Sequence, residues 1–206
     1  MFYRIYLAVL ALLAWFALAA QLYIIIRYRS SSIGATVVQY FSYYTILTNI
    51  LVAWVCSRLF LKRQDTSSQK RTLTAILVYI MTVGLTYNIM LRPLWKPQGL
   101  QLMADNLLHT FIPLLYLLFW MLYVMKHRLE WKDILPWLLY PLVYLIYIMI
   151  RGAVSGVYPY PFIDVSRLGY LSAILNSVGV TVVILFFAVI SVAITRRAGV
   201  TSAQSV

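Results

Sequence analysis

Six long apolar runs take up most of this 206-residue sequence, and each is close to the roughly 20 residues that a helix needs to cross a bilayer. Hydrophobic residues make up 63% of the chain and charged residues 11%, a balance far from that of a water-soluble domain. The connections are short, which predicts an all-α fold with six transmembrane helices in one domain over residues 1–206. The runs are Ile5–Ile26, Val37–Leu61, Leu73–Leu91, Leu107–Met125, Ile134–Ile150 and Leu168–Ile194.

The first run has some features of a secretory signal, because Arg4 precedes an apolar stretch that contains the small-residue pattern Ala17-Leu18-Ala19. A signal's hydrophobic region would have ended there, whereas this run continues to Arg27. Its length therefore predicts a retained transmembrane helix.

The basic residues predict the orientation of the helices. Of the seventeen Lys and Arg residues, eleven lie at the N-terminus, in the second and fourth loops and in the tail. Because cytoplasmic loops carry the excess of Lys and Arg, both termini are expected in the cytoplasm, with the protein in the plasma or inner membrane. The net charge of +12 is then a topology signal and does not indicate a nucleic-acid partner.

The sequence contains too few potential ligands for a metal site built from protein side chains. There is one cysteine, Cys56, and there are two histidines, with neither a CxxC nor an HExxH motif. The sequence predicts no metal and no cofactor.

Polar residues inside membrane helices are costly, so their depth is informative. If the second helix runs inward from Val37, its rise places Thr45 roughly 10 to 12 Å below the outer boundary, with Asn49 on the same face one turn deeper. A fourth helix that opens near Asp105 brings His109 to a similar layer. The i, i+4 spacing lets the Asp105 carboxylate hold one imidazole nitrogen and leave the other free as a base.

Further polar groups are expected in the same outer layer. Pro113 has no N–H to give to the carbonyl of His109, four residues before it, which leaves an acceptor to be satisfied. Hydrogen bonding between helices is the commoner use of such side chains, but they are also candidates for binding substrate or an oxyanion. These candidates are Asn49, Asn88, Asp105, Arg151, Tyr160 and Asn176.

Three segments, in order, resemble the signature regions of the androgen-induced-gene family of intramembrane threonine hydrolases, in its compact, predicted six-pass bacterial form. They are Tyr43-Tyr44-Thr45-Ile46-Leu47-Thr48-Asn49, Asp105-Asn106-Leu107-Leu108-His109-Thr110 and Gly156-Val157-Tyr158-Pro159-Tyr160-Pro161-Phe162.

The resemblance implies hydrolysis of fatty-acid esters of hydroxy fatty acids, with Thr45 as nucleophile, His109 as its partner and a lipid from the bilayer as substrate. Two positions depart from the animal members. Arg151-Gly152-Ala153 stands where they carry a histidine pair, and Thr48 stands where they carry an aspartate.

Three other functions stay open at this stage. The same residues would serve a lipid acyltransferase, in which a second lipid replaces water. A small-molecule transporter or lipid-binding protein would also have a polar outer vestibule, although the sequence shows neither an internal repeat nor paired broken helices. A structural membrane subunit is the third alternative.

Overall fold

The computed structural model describes residues 2–62, 67–94 and 96–203, and the described chain is helical with no strand. Six of its helices are long and apolar enough to cross a membrane, which confirms the predicted all-α, six-helix fold. The orientation of the termini stays a prediction. The candidate spans are Phe2–Arg27, Tyr44–Leu61, Ser67–Leu94, Gly99–Tyr123, Trp131–Ser155 and Val165–Ala198.

The packed centre is built from the first four spans. Helix α1 (Phe2–Arg27) packs against α3 (Tyr44–Leu61), and α4 (Ser67–Thr86) packs against both α3 and α6 (Ile112–Tyr123). Buried Leu, Val, Ile and aromatic side chains from all four fill the space between them. These helices therefore form the rigid frame on which the site residues are mounted.

The last two spans lie at the periphery. The fifth contains α7 (Ile134–Trp137) and α8 (Leu139–Ser155), and only 17% of its most apolar window is buried, so most of this helix lies on the outer surface of the bundle. The sixth is α9 (Val165–Ala203), which packs on α4 and is kinked at Gly169, where φ is 74°. A loop over residues 156–164 connects α8 to α9.

The second apolar run is not one helix, so the continuous span predicted over Val37–Leu61 is wrong. A short helix α2 (Ile33–Tyr40) ends, residues 41–43 form a turn, and α3 begins only at Tyr44. The turn is stabilised by hydrogen bonds to the buried residue Ser42. The Ser42 hydroxyl donates to the Val38 carbonyl at 2.6 Å, and the Tyr144 hydroxyl of α8 donates to the Ser42 carbonyl at 2.9 Å.

The fourth span begins at Gly99 and not near Asp105, so that prediction is also corrected. Helix α5 (Gly99–Asn106) continues through a π-helical segment, Leu107–Phe111, into α6. A second π-helical segment, Tyr87–Leu91, follows α4, and the two segments are in contact. Since π-helical turns are rare and are frequent at functional sites, their pairing here marks the region around His109.

Candidate functional site

A cavity of about 380 Å³ lies where α1, α3, the two π-helical segments and the loop 156–164 meet. Its wall includes four of the residues proposed from the sequence: Thr45, Asp105, His109 and Tyr160. Thr45 and His109 are 64 positions apart in the chain, and no hydrogen bond joins them in the described part of the structure. Their common cavity gives one ligand access to both side chains.

His109 is held by three contacts. Its Nδ1 lies 2.9 Å from the Asp105 carbonyl oxygen and 3.5 Å from the Asp105 carboxylate, so the shorter contact is to the backbone and not to the expected side chain. The imidazole stacks on the Tyr87 ring, with centroids 3.6 Å apart and planes at 14°. With Nδ1 donating to Asp105, Nε2 is the nitrogen left to accept a proton.

Asp105 is itself fixed by the same tyrosine. The Tyr87 hydroxyl donates to Asp105 Oδ2 at 2.5 Å, and the Asp105 side chain is buried. Tyr87 therefore supports both the histidine ring and its carboxylate neighbour. Tyr87 was not among the candidates from the sequence, because nothing in its spacing shows that its ring lies on the imidazole.

Thr45 lies in the first turn of α3, a position created by the break at residues 41–43. First-turn N–H groups have no carbonyl acceptor within their own helix. The Thr45 N–H donates instead to the Tyr160 hydroxyl at 3.3 Å. The buried threonine thus presents its side chain and its N–H group at the positive end of a helix dipole.

Tyr160 reaches Thr45 from the loop 156–164. Its ring meets the Tyr43 ring edge-on at 5.7 Å and stacks on the Phe162 ring at 5.2 Å. Burial raises the pKa of its hydroxyl, an effect that hydrogen bonds from Thr45 partly oppose. The phenol is therefore protonated at neutral pH and can donate to an oxygen placed in the cavity.

Asn49 does not act as an oxyanion donor in this conformation. Its Nδ2 donates to the Thr45 carbonyl at 2.9 Å and to the Leu108 carbonyl at 3.2 Å. Both partners are acceptors, so the side-chain orientation is well determined, and Oδ1 is buried without a partner among the described residues. Asn49 instead links α3, the helix of Thr45, to the π-helical segment that carries His109.

Asn88 is the hydrogen-bond donor to the His109 carbonyl, the acceptor that was expected to lack a helical partner because Pro113 has no N–H. Its Nδ2 donates to the Gly84 carbonyl at 2.8 Å and to the His109 carbonyl at 3.1 Å. Its Oδ1 accepts from Arg92 at 2.8 Å. The amide therefore fixes the backbone of the histidine, and its N–H groups are already used.

Arg151 and Asn176 hold the two ends of the loop and lie outside the cavity wall. The Arg151 guanidinium donates to the Val157 carbonyl at 2.8 Å, and Asn176 Nδ2 donates to the Phe162 carbonyl at 2.8 Å. Of the six sequence candidates for oxyanion or substrate binding, only Tyr160 and Asp105 line the cavity. Arg151 and Asn176 act on the site by positioning the loop of Tyr160.

A second, smaller cavity adjoins the first and is almost wholly apolar. Thr45, Tyr87, Leu91 and Tyr160 line both cavities, so the two meet at the threonine. The outer wall of the smaller cavity comes from α4, α8, the loop 156–164 and α9. Its aliphatic lining includes Val83, Leu91, Pro141, Leu145, Ile163, Val180 and Ile184.

Two glutamines complete the larger cavity and were not singled out from the sequence. Gln101 Nε2 donates to Gln21 Oε1 at 3.0 Å, which joins α5 to α1 on the cavity wall. Of the described residues that line this cavity, none is Lys or Arg. In the whole described part of the chain, no group of three His, Cys, Asp or Glu side chains could hold a metal ion.

Comparison with known proteins adds no further assignment. No family model matches this chain, and neither a curated protein nor a solved structure matches it.

Proposed function

We propose that this protein is an intramembrane hydrolase of lipid esters, with Thr45 as the nucleophile and His109 as the general base. One observation carries the proposal: the two side chains line one cavity, in which the imidazole is oriented by a hydrogen bond from Nδ1 to Asp105 and by stacking on the Tyr87 ring. A nucleophile and an oriented base that face a common cavity are the minimum for acyl transfer through a covalent intermediate.

The reaction would proceed in two halves. His109 Nε2 takes the proton of the Thr45 hydroxyl while Oγ1 bonds to the ester carbonyl carbon. As the tetrahedral intermediate collapses, the bond to the alcohol oxygen breaks and His109 returns the proton to that oxygen. In the second half, His109 Nε2 takes a proton from water as the water oxygen bonds to the acyl carbon of the threonyl ester. The bond between that carbon and Thr45 Oγ1 then breaks, His109 returns the proton to Oγ1, and the fatty acid leaves.

The oxyanion would be stabilised at the first turn of α3. In the resting protein the Thr45 N–H donates to the Tyr160 hydroxyl at 3.3 Å, so a carbonyl oxygen that displaces this hydroxyl would accept from the released N–H and from the displaced Tyr160 O–H. A preorganised donor of this kind is worth roughly 3 to 4 kcal/mol of the activation barrier. The other expected donors, Asn49 and Asn88, have their N–H groups on backbone carbonyls.

The substrate is inferred to be a lipid because apolar walls surround the reacting atoms. The apolar lining of the smaller cavity, which has a volume of about 90 Å³, suits the first carbons of an acyl chain, and the larger cavity takes the alcohol part of the ester. The family resemblance of the three sequence segments narrows this class to fatty-acid esters of hydroxy fatty acids.

The test is ester hydrolysis by the purified full chain in detergent, with a fluorogenic medium-chain acyl ester. We expect Thr45→Ala and His109→Gln to fall to background and Thr45→Ser to retain activity. Thr72→Ala and His127→Ala are the matched controls, because both residues lie outside the two cavities. Each variant is checked for monodispersity and thermal unfolding.

Two results would separate the alternatives. Wild-type protein that turns over no ester of any chain length, or a Thr45→Ala variant that keeps full activity, would refute the hydrolase. Product analysis with an added hydroxylated lipid distinguishes hydrolysis from acyl transfer, because transfer yields a new lipid ester in place of free fatty acid.

A further inference from the structure

A third cavity, of different character, lies where the fifth span begins and the sixth span ends. It has a volume of about 490 Å³ and is lined by five residues, which we call the basic interfacial cavity: Arg128, Glu130, Trp131, Lys132 and Arg196. Three cations and one carboxylate give its wall two net positive charges. None of these residues lines the cavities around Thr45.

The two arginines are the groups available to a ligand. Lys132 Nζ pairs with Glu130 at 2.6 Å, which neutralises both of those charges. Among the described residues, neither Arg128 nor Arg196 forms an ion pair with a carboxylate. Lys132 and, to a lesser extent, Arg196 lower the pKa of Glu130. The Arg196 guanidinium lies 5.8 Å from the centroid of the Trp131 ring, a cation–π contact that leaves its N–H groups free to donate.

The backbone that carries this wall is well held. A short 3₁₀ helix, Trp131–Asp133, is closed by a capping box in which the Glu130 N–H donates to Asp133 at 2.9 Å. Buried Asp133 also accepts from Arg71 of α4 at 3.1 Å, and Leu129 is fully buried. Arg128 and Trp131 are therefore presented from a fixed segment.

The level of the cavity in the membrane indicates the ligand. Trp131 begins the fifth candidate span, and Arg196 lies within three residues of the end of the sixth. Tryptophan at a span end marks the interface, where lipid phosphates lie. A guanidinium matches phosphate geometry through two parallel N–H donors, and basic pockets between transmembrane helices are suited to anionic headgroups.

We infer that the basic interfacial cavity binds the phosphate headgroup of an anionic phospholipid between Arg128 and Arg196, with Trp131 beside the glycerol region. This site is independent of ester hydrolysis. Its ligand holds the start of the fifth span to the end of the sixth, the two spans that form the periphery of the bundle.

The experiment is native mass spectrometry of the full chain in detergent, titrated with phosphatidylglycerol or with phosphatidylcholine of the same acyl chains. The test variant is Arg128→Gln with Arg196→Gln. The control is Arg27→Gln with Lys96→Gln, which removes the same charge at the opposite end of the spans. We expect the wild type and the control to prefer phosphatidylglycerol, and the test variant to bind it at least about tenfold more weakly.

Three results would overturn the inference. Wild-type protein could show no preference between the lipids, or both double variants could lose binding equally, which would indicate diffuse charge attraction. Displacement of phosphatidylglycerol by millimolar inorganic phosphate would assign the cavity to free phosphate. If the test variant misfolds, photocrosslinking of wild type with a headgroup-labelled phosphatidylglycerol decides. Labels within residues 126–133 and 190–198 support the site, and labels concentrated elsewhere refute it.

Discussion

Gly84 is the position where the closest packing beside His109 can be tested. A Cβ added there would lie 3.2 Å from the His109 carbonyl oxygen and 3.3 Å from Pro113 Cβ. Both distances are shorter than ordinary contacts, and both neighbours are rigid, so the backbone of His109 would have to move by a few tenths of an ångström. Gly84→Ala therefore pushes directly on the proposed base.

The expected change in folding stability on Gly84→Ala is the difference between two opposing contributions. Alanine gains about 1 kcal/mol over glycine in a helix interior. Overpacking of a close contact typically costs 1 to 3 kcal/mol. The net change for Gly84→Ala is a loss of about 1 kcal/mol of stability, and the displaced histidine should lower the rate of ester hydrolysis several-fold.

Gly179→Ala is the matched control, because a Cβ there meets nothing within 4 Å. Only the helix-propensity gain applies, so this variant should be as stable as wild type or up to about 1 kcal/mol more stable. Thermal unfolding of the purified variants in one detergent measures both. The reasoning is refuted if the two variants shift the unfolding temperature in the same direction by similar amounts.

Three further outcomes are expected. Asn88→Ala leaves the His109 carbonyl without its donor and should lower stability by about 1 to 3 kcal/mol in thermal unfolding; an unchanged midpoint would contradict the assigned bond. Tyr160→Phe keeps the ring and removes one proposed oxyanion donor to the Thr45 site, so kcat should fall about 10²-fold with little change in KM. Burial and two neighbouring cations lower the pKa of His127 below its ordinary 6.5, so the stability present above pH 6.5 should be lost as the pH falls further, and His127→Gln should remove that dependence.

The six spans could be predicted because hydropathy and helix length are local properties of the sequence. The proximity of Asp105 to His109 also followed from one local rule, the i, i+4 spacing on a helix. That His109 and Thr45 line the same cavity rested on comparing depths along two helices. That comparison used a second helix starting at Val37 and a fourth starting near Asp105, and the structure corrects both starting points.

The break at residues 41–43 was not predictable from this segment, which contains neither glycine nor proline. The break is stabilised by tertiary hydrogen bonds. Tyr144, about a hundred residues later, donates to the Ser42 carbonyl, and Tyr147 lies 3.2 Å from the Ser42 hydroxyl. Buried polar groups of a turn need hydrogen-bond partners, and here the two tyrosines of α8 provide them, so this turn depends on residues that are distant in the sequence.

The break also changes which donors the site can use. Within a continuous helix, the N–H of Thr45 would be bonded to the carbonyl four residues earlier, and an oxyanion at this threonine would depend on side chains alone. At the start of α3 that N–H is released and is taken by the Tyr160 hydroxyl. The tyrosine therefore occupies, in the resting protein, the place that a substrate oxygen would take. Since the loop of Tyr160 is held by Arg151 and Asn176, a change at either residue should act on the threonine through this one hydroxyl.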